Sequence, residues 1–200
     1  MDIEGIINSL PDLTQPFATP DNSDYLKASS VLLILHKIDQ QWQLLFTKRA
    51  DHLSSHAGQI SFPGGRFESV DQNLMETALR ETEEEIGVSR NHLRVFSQMD
   101  EHPTQTGYRI FPYVAFSHNL PELVIDKAEV DEVFSAPLLY LLDGKNQQLA
   151  TAIYNEKKYS YYKIIWRDKI IWGATARMIV NLSSYFNDDA PLPQPLKHGH

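Results

Sequence analysis

The chain has 200 residues, no cysteine and a formal net charge of -8. Its length suggests one domain with a small extension, and the missing cysteines exclude disulfides, thiolate zinc sites and a cysteine nucleophile. A diffusely acidic surface repels nucleic acid; it admits an anionic small molecule only where a metal or local Arg and Lys residues invert the field.

The opening Met1-Asp2-Ile3-Glu4-Gly5 has no basic segment ahead of an apolar run, so no signal peptide is expected. No stretch approaches the roughly 20 apolar residues that span a bilayer. A cytoplasmic protein without membrane or nucleic-acid partners is the resulting expectation. Residues 1–27 read as an N-terminal extension, with a short helix over Asp2–Leu10 and then Pro11, Pro16 and Pro20. The extension either completes a homodimer interface or covers a sheet edge.

Ala28–Lys37, with the run Ser29 to His36, reads as a buried strand, Asp39-Gln40-Gln41 as a turn, and Gln43–Arg49 as a second strand. Gly58–Phe62 is a short extended piece ending at Pro63. The spacing of Leu74, Ala78, Leu79, Thr82 and Ile86 predicts a helix over Asn73–Glu85, with Gly87 as its stop. Strands follow near Leu93–Met99, Arg109–Phe116 and Val130–Phe134, then a short helix over Pro137–Leu142. Leu149–Tyr154 and Tyr159–Trp166 form a candidate hairpin. A helix from Gly173 to Tyr185 closes the domain, and a Pro-rich tail occupies 187–200. Strands interleaved with a few helices imply an α/β (α+β) fold with a mixed sheet covered on both faces.

The predicted helix carries Arg80-Glu81-Thr82-Glu83-Glu84-Glu85. A helix turns about 100° per residue, so Glu81 and Glu85 lie about 40° apart and Glu84 is within reach of both. Glu83 points elsewhere, into solvent. A charged solvated face is the ordinary explanation of such a run. Two features argue against it here: the three carboxylates repel one another without a cation between them, and they follow Phe62-Pro63-Gly64-Gly65, a turn that brings backbone close to the helix. Hard oxygen donors suit a divalent metal. Arg80 lies four residues after Glu76 and four before Glu84, so it can bridge carboxylates and hold their rotamers.

Gly65, Arg80-Glu81, Glu84-Glu85 and Gly87-Val88 resemble the Nudix box, G-x5-E-x7-R-E-U-x-E-E-x-G-U, where U is a bulky aliphatic. Two departures stand out. One extra residue separates Gly65 from Arg80, which leaves the first box carboxylate open between Glu68 and Asp71. Thr82 replaces an aliphatic. The preceding segment, Leu45-Phe46-Thr47-Lys48-Arg49-Ala50, Gly58 and Phe62-Pro63-Gly64-Gly65, is similar to the coenzyme A pyrophosphatase signature L-L-T-x-R-[SA]-x3-R-x3-G-x3-F-P-G-G, except that Phe46 replaces Leu and Ser54 replaces the second Arg. The resemblance covers about Ala28 to Phe186.

The resemblance implies a Nudix-type α/β/α sandwich over 28–186, with Glu81, Glu84 and Glu85 holding Mg2+ or Mn2+. It implies hydrolysis of coenzyme A or acyl-coenzyme A to (acyl-)4'-phosphopantetheine and adenosine 3',5'-bisphosphate. Arg80 would position the carboxylates, and either a box glutamate or Glu129 would be the base. Gly64 and Gly65 would let backbone N–H groups and the helix N-terminus approach the phosphates. Arg49 and Arg66 are candidate substrate contacts, and Lys48, Arg49 and Arg66 are the cations near enough in sequence to compensate for Ser54. Two alternatives remain: another nucleoside diphosphate derivative such as ADP-ribose or NADH, and a non-catalytic sensing module. His52 and His56 have zinc-like spacing but lack a third ligand, and His102 reads as structural or a loop contact. Tyr108, Phe111 and Trp172 read as core aromatics at strand spacing.

Overall fold

The computed structural model describes residues 28–104, 107–154 and 157–184. The helix expected at Asp2–Leu10, the rest of the extension and the Pro-rich tail lie outside these residues. The described residues form two compact units, divided between Pro137 and Leu138.

The first unit is built on a mixed sheet. Its strands are β1 (Ala28–Ile38), β2 (Gln41–Arg49), β3 (Ile60–Ser61), β4 (Gly64–Arg66), β5 (Arg94–Gln98), β6 (His102–Pro103), β7 (Arg109–Ser117) and β8 (Val130–Pro137). The order β3-β2-β1-β7-β5 forms the main path; β4 pairs with β1, β6 with β7 and β8 with β2. Only the pairing of β1 with β7 is parallel; the rest are antiparallel. The turn between β1 and β2 is as the sequence predicts, and Asp39 and Gln40 both adopt positive φ, as a tight hairpin requires. β8 runs three residues further than expected, because its alternation continues through Ala136 to pair with Gln43 and Leu44. The short strands β4 and β6 carry no periodic signal and were not anticipated.

Helix α1 (Leu74–Ile86) lies against one face of this sheet. Asn73 caps it by accepting a hydrogen bond from the Glu76 N–H at 3.0 Å, and Gly87 ends it in the left-handed region. Leu74, Ala78, Leu79 and Ile86 bury against Leu32, Ile34, Leu45, Phe111, Tyr113 and Ala115. Thr82, the residue that replaces an aliphatic, is fully buried, and its hydroxyl donates to the Ala78 carbonyl at 2.7 Å. That internal bond lets a polar side chain occupy a core position of the helix. On the opposite face Phe46 stacks with Phe62 and Phe134 at 5.1 and 5.3 Å between centroids.

The second unit contains α2 (Leu138–Leu142), β9 (Gln147–Tyr154), β10 (Lys157–Trp166), β11 (Lys169–Trp172) and α3 (Gly173–Ser184). The expected hairpin is therefore two strands of a three-stranded antiparallel sheet, with β11 as the third. No helix of the described residues is long and apolar enough to cross a membrane.

Gly87 is the residue on which the end of α1 depends. Its φ is 71°, and a Cβ there would meet Val124 Cβ at 2.8 Å and the Val124 carbonyl oxygen at 3.0 Å. Gly87→Ala combines left-handed strain with this clash. It should destabilise the protein by about 2 kcal/mol in urea unfolding; an unchanged midpoint would show that the cap is dispensable.

Candidate active site

The C-terminal half of α1 presents its carboxylates to β4. Glu85 is buried, Glu81 is half-buried, and Glu83 and Glu84 are exposed. Arg80 sits among them. Its Nε donates to Asp71 Oδ1 at 2.8 Å and Nη2 to Asp71 Oδ2 at 3.1 Å, while Nη1 approaches Glu81 at 3.1 Å and Glu84 at 2.9 Å. Asp71 also accepts from the Glu68 N–H and the Thr77 hydroxyl. Between Glu68 and Asp71, it is Asp71 that joins this network. The expected bridge from Arg80 to Glu76 is not formed, because Glu76 pairs with Arg90.

β4 lies so close to α1 at Gly65 and to β1 at Gly64 that no side chain fits at either position. A Cβ on Gly65 would lie 2.3 to 2.5 Å from the Glu81 carboxylate, and one on Gly64 would lie 2.2 Å from the Ser30 carbonyl oxygen. The Gly64 N–H donates to Glu85 Oε2 at 3.3 Å. That N–H therefore holds a carboxylate, where a phosphate contact was expected. The helix N-terminus is also remote: Leu74 lies seven positions before Glu81, about 10 Å along the axis, and Asn73 already caps it.

The third side of the site comes from the end of β2 and the start of β8. Their register shifts between Lys48, opposite Glu132, and Arg49, opposite Val130. The bulge leaves Asp131 unpaired in the ladder, where its carboxylate accepts from the Asp51 N–H and pairs with Lys48. Arg49 Nη1 lies 3.9 Å from Glu85 Oε1, and the buried Arg49 Nε has no hydrogen-bond partner among the described residues. The Ala50 N–H donates to the Glu129 carbonyl, which anchors the Glu129 loop beside Arg49.

The NUDIX domain family matches residues 26–153 of this sequence. The chain belongs to the Nudix family. Similar curated proteins carry the description uncharacterized Nudix hydrolase NudL. One from Yersinia pestis is 33% identical over 175 residues, 86% of this chain and 87% of that protein. Another from Yersinia enterocolitica is 32% identical over 144 residues, 72% of this chain and 74% of that protein. The crystal structure of a MutT/nudix family protein from Enterococcus faecalis is similar with a TM-score of 0.50 and 16% identity, covering 87% of this chain and 62% of that one. The last likeness concerns the fold alone: a Nudix α/β fold with a mixed sheet and three helices. This protein is a Nudix hydrolase, a member of a pyrophosphohydrolase family.

Nudix hydrolases typically use a divalent metal, and the residues of this site fit one. The nearby groups are carboxylates, hard donors matched to Mg2+ or Mn2+. Burial pushes the Glu85 carboxyl up to about 8; the Gly64 N–H opposes the shift, Glu81 adds to it, Arg49 opposes it and Glu129 adds to it. Burial also raises Glu81, against the pull of Arg80, with Glu84 and Glu129 adding to the rise. Glu129 thus adds its field to both Glu81 and Glu85. By contrast, Asp71 lies below its usual range. Burial alone would raise it, but hydrogen bonds from Arg80, the Glu68 N–H and Thr77 outweigh that. The site is short of positive charge at Glu81 and Glu85, and Arg49 with Arg80 supplies only part of it.

Side-chain disposition divides the expected trio. Glu81 and Glu85 face β4, whereas Glu84 turns outward to Arg80. Among the described residues no three carboxylates or imidazoles already converge on one ion position. His52 and His56 bond instead to the Ala128 carbonyl and to Gln59. Asp71 was left open by the one-residue shift in the box; counting five intervening residues on from Gly65, as the box does before its first carboxylate, is the signal that would have selected it over Glu68.

The electrostatics give a stability test. A carboxyl whose folded value is raised favours folding below its ordinary value and loses that contribution as pH rises through the folded value. In metal-free protein, wild type should therefore lose a few kcal/mol of stability as pH rises from 4.5 through about 8. Glu85→Gln, which has no proton to lose there, should match wild type near pH 5 and exceed it near pH 9 by that amount in denaturant titrations. Parallel profiles for the two proteins would contradict a desolvated Glu85.

Proposed function

We propose that this Nudix hydrolase cleaves the pyrophosphate bond of coenzyme A or acyl-coenzyme A. The products would be 4'-phosphopantetheine, or its acyl form, and adenosine 3',5'-bisphosphate. The observation that carries a diphosphate substrate is the juxtaposition of an incompletely paired Arg49, its buried Nε without a hydrogen-bond partner among the described residues, with the buried Glu85. A guanidinium in that condition suits an anionic oxygen, and carboxylates in that condition suit a divalent cation. A metal diphosphate supplies both. The coenzyme A preference is supported by the segment Leu45–Gly65, in which Arg49, Ala50, Gly58 and Phe62-Pro63-Gly64-Gly65 match the signature while Ser54 does not. Ser54 is exposed on the loop after β2.

Glu81, Glu84 and Glu85 would hold Mg2+ or Mn2+. When bound, the metal neutralises diphosphate charge and acidifies a water molecule. Glu84 can join because its contact with Arg80 is exposed, and exposed ion pairs constrain a side chain weakly. Arg80, fixed by Asp71, limits the rotamers open to Glu81 and Glu84. Glu129 or a box glutamate takes the proton of the attacking water. Attack at one phosphorus breaks its bond to the bridging oxygen, which leaves with the other phosphate. Arg49 would offset negative charge on the diphosphate, and Arg66 would touch the substrate. Gly65, by lacking a side chain, leaves room for the Glu81 carboxylate, and Gly64 lets β4 lie against β1 with its N–H on Glu85.

The family match runs through Ile153, past the division between the two compact units. That supports reading 28–186 as one hydrolase domain, flanked by the extension 1–27 and the tail 187–200. A cytoplasmic setting fits the lack of cysteine, and a homodimer involving residues 1–27 remains part of the proposal.

Glu84→Gln should reduce kcat on the order of 100-fold or more with an unchanged thermal midpoint, because Glu84 is exposed and the substitution is isosteric. Full turnover with unchanged metal affinity would remove Glu84 from the mechanism. A Mg2+- and Mn2+-dependent screen over coenzyme A, acetyl-coenzyme A, ADP-ribose and NADH, with products identified by mass, tests the substrate. Coenzyme A should be preferred; preference for ADP-ribose or NADH would overturn that assignment and leave the hydrolase intact.

A further inference from the structure

Tyr108 was expected in the core, yet it is half-buried at the surface, and the Arg66 guanidinium lies over its ring at 4.9 Å from the centroid. Arg66 is exposed, and no carboxylate pairs with its guanidinium among the described residues. Arg109, at the same end of the sheet, differs: it is ion-paired with Glu101. Among the described residues Arg66 is therefore a cation set over an aromatic face and paired with no anion.

Both members of the pair are anchored by backbone. The Arg66 carbonyl accepts from Arg80 Nη2 at 3.2 Å, and Arg66 pairs with Ser29 in β1. The turn before β7 is closed by four bonds. The Thr104 N–H and hydroxyl donate to the Tyr108 carbonyl at 2.7 and 3.0 Å, the Tyr108 N–H donates to the Thr104 hydroxyl at 2.9 Å, and the Gly107 N–H donates to the Thr104 carbonyl at 3.1 Å. Gly107 has φ of 82°, which permits this tight return. The stack also adjoins the reactive centre: Arg66 follows Gly65, whose missing Cβ leaves room for the Glu81 carboxylate.

An exposed guanidinium plane backed by an aromatic ring has one face left for another planar group. We propose that Arg66, backed by Tyr108, is the shelf on which the nucleobase of the substrate stacks, next to the diphosphate held near Glu81 and Glu85. The inference rests on the nucleoside diphosphate reading above and identifies its specificity-determining end. Its chemistry predicts selection for a planar base, independent of what is attached to the second phosphate.

The test combines calorimetry and kinetics. Calorimetry compares AMP with ribose 5-phosphate, and steady-state kinetics use coenzyme A with Mg2+. Arg66→Ala and Tyr108→Ala should each weaken AMP about five-fold or more, the usual scale of losing a base stack, and leave ribose 5-phosphate binding unchanged. They should raise KM for coenzyme A by a similar factor with kcat within about two-fold of wild type. Tyr108→Phe keeps the ring and should behave as wild type. Arg66→Lys keeps the charge without the plane and should behave as Arg66→Ala. Unchanged AMP affinity in both alanine variants, failure of wild type to bind AMP, or a wild-type Arg66→Lys would each overturn the shelf. If coenzyme A is not hydrolysed but AMP affinity follows the stated pattern, the substrate assignment fails and the shelf stands. Both side chains reach the surface, and a retained thermal midpoint separates lost binding from lost folding.

Discussion

The burial of the Glu85 carboxylate is the constraint on which the site depends. A charge with so little solvent access is costly unless its neighbours compensate. Here compensation is partial: one N–H from Gly64 and a guanidinium 3.9 Å away. Glu81 and Glu129 oppose ionisation further. The fold thus holds a deficit of positive charge at a defined place. Two features of the chain keep the deficit from relaxing. The seam of Leu74, Ala78, Leu79 and Ile86 fixes α1 against the sheet, and β4 lies too close to α1 for any residue but glycine at 65. A looser helix would let Glu85 reach water, and the demand for a cation would disappear.

Around that centre the charged groups differ in burial and therefore in function. Asp71 and Arg80 form a bidentate pair with Asp71 buried, supported by a hydroxyl and a backbone N–H. Such a pair holds geometry more effectively than it adds stability. Its outward arm, Arg80 to Glu84, is exposed and weakly held. Rigidity toward the core and freedom toward solvent suit a site that must accept and release a charged ligand.

The helix was legible in the sequence because burial periodicity, an Asn cap and a Gly stop agree on its bounds. The same spacing places Glu81 and Glu85 toward β4, whereas Glu84 turns outward to Arg80; the departures at Thr82 and between Gly65 and Arg80 are compatible with the helix. What periodicity does not carry is side-chain partner choice. Glu76 and Asp71 are both within sequence reach of Arg80; Arg90, from the next turn, removes Glu76, and Thr77 with the Glu68 N–H orients Asp71. Tyr108 was misplaced because alternation identifies a strand face, and at the strand's end that face opens to solvent. The third strand of the small sheet, Lys169–Trp172, is too short for alternation to mark it.

The division between Arg49 and Ser54 also acquires a physical meaning. The register shift at Lys48 and Arg49 is fastened on both sides, by the Lys48–Asp131 pair and by the Ala50 N–H on Glu129. His52 continues the fastening through the Ala128 carbonyl at 3.1 Å. Arg49 and Glu129 are thus presented by one stitched junction, and a displacement of either loop would move both. Ser54 lies beyond these attachments, on an exposed part of the loop. Substitution of arginine there changes what the loop offers to a substrate without disturbing the junction that faces Glu85. The junction that holds Arg49 beside Glu85 is mechanically separate from the exposed loop at Ser54, so a serine at that position is compatible with an intact junction.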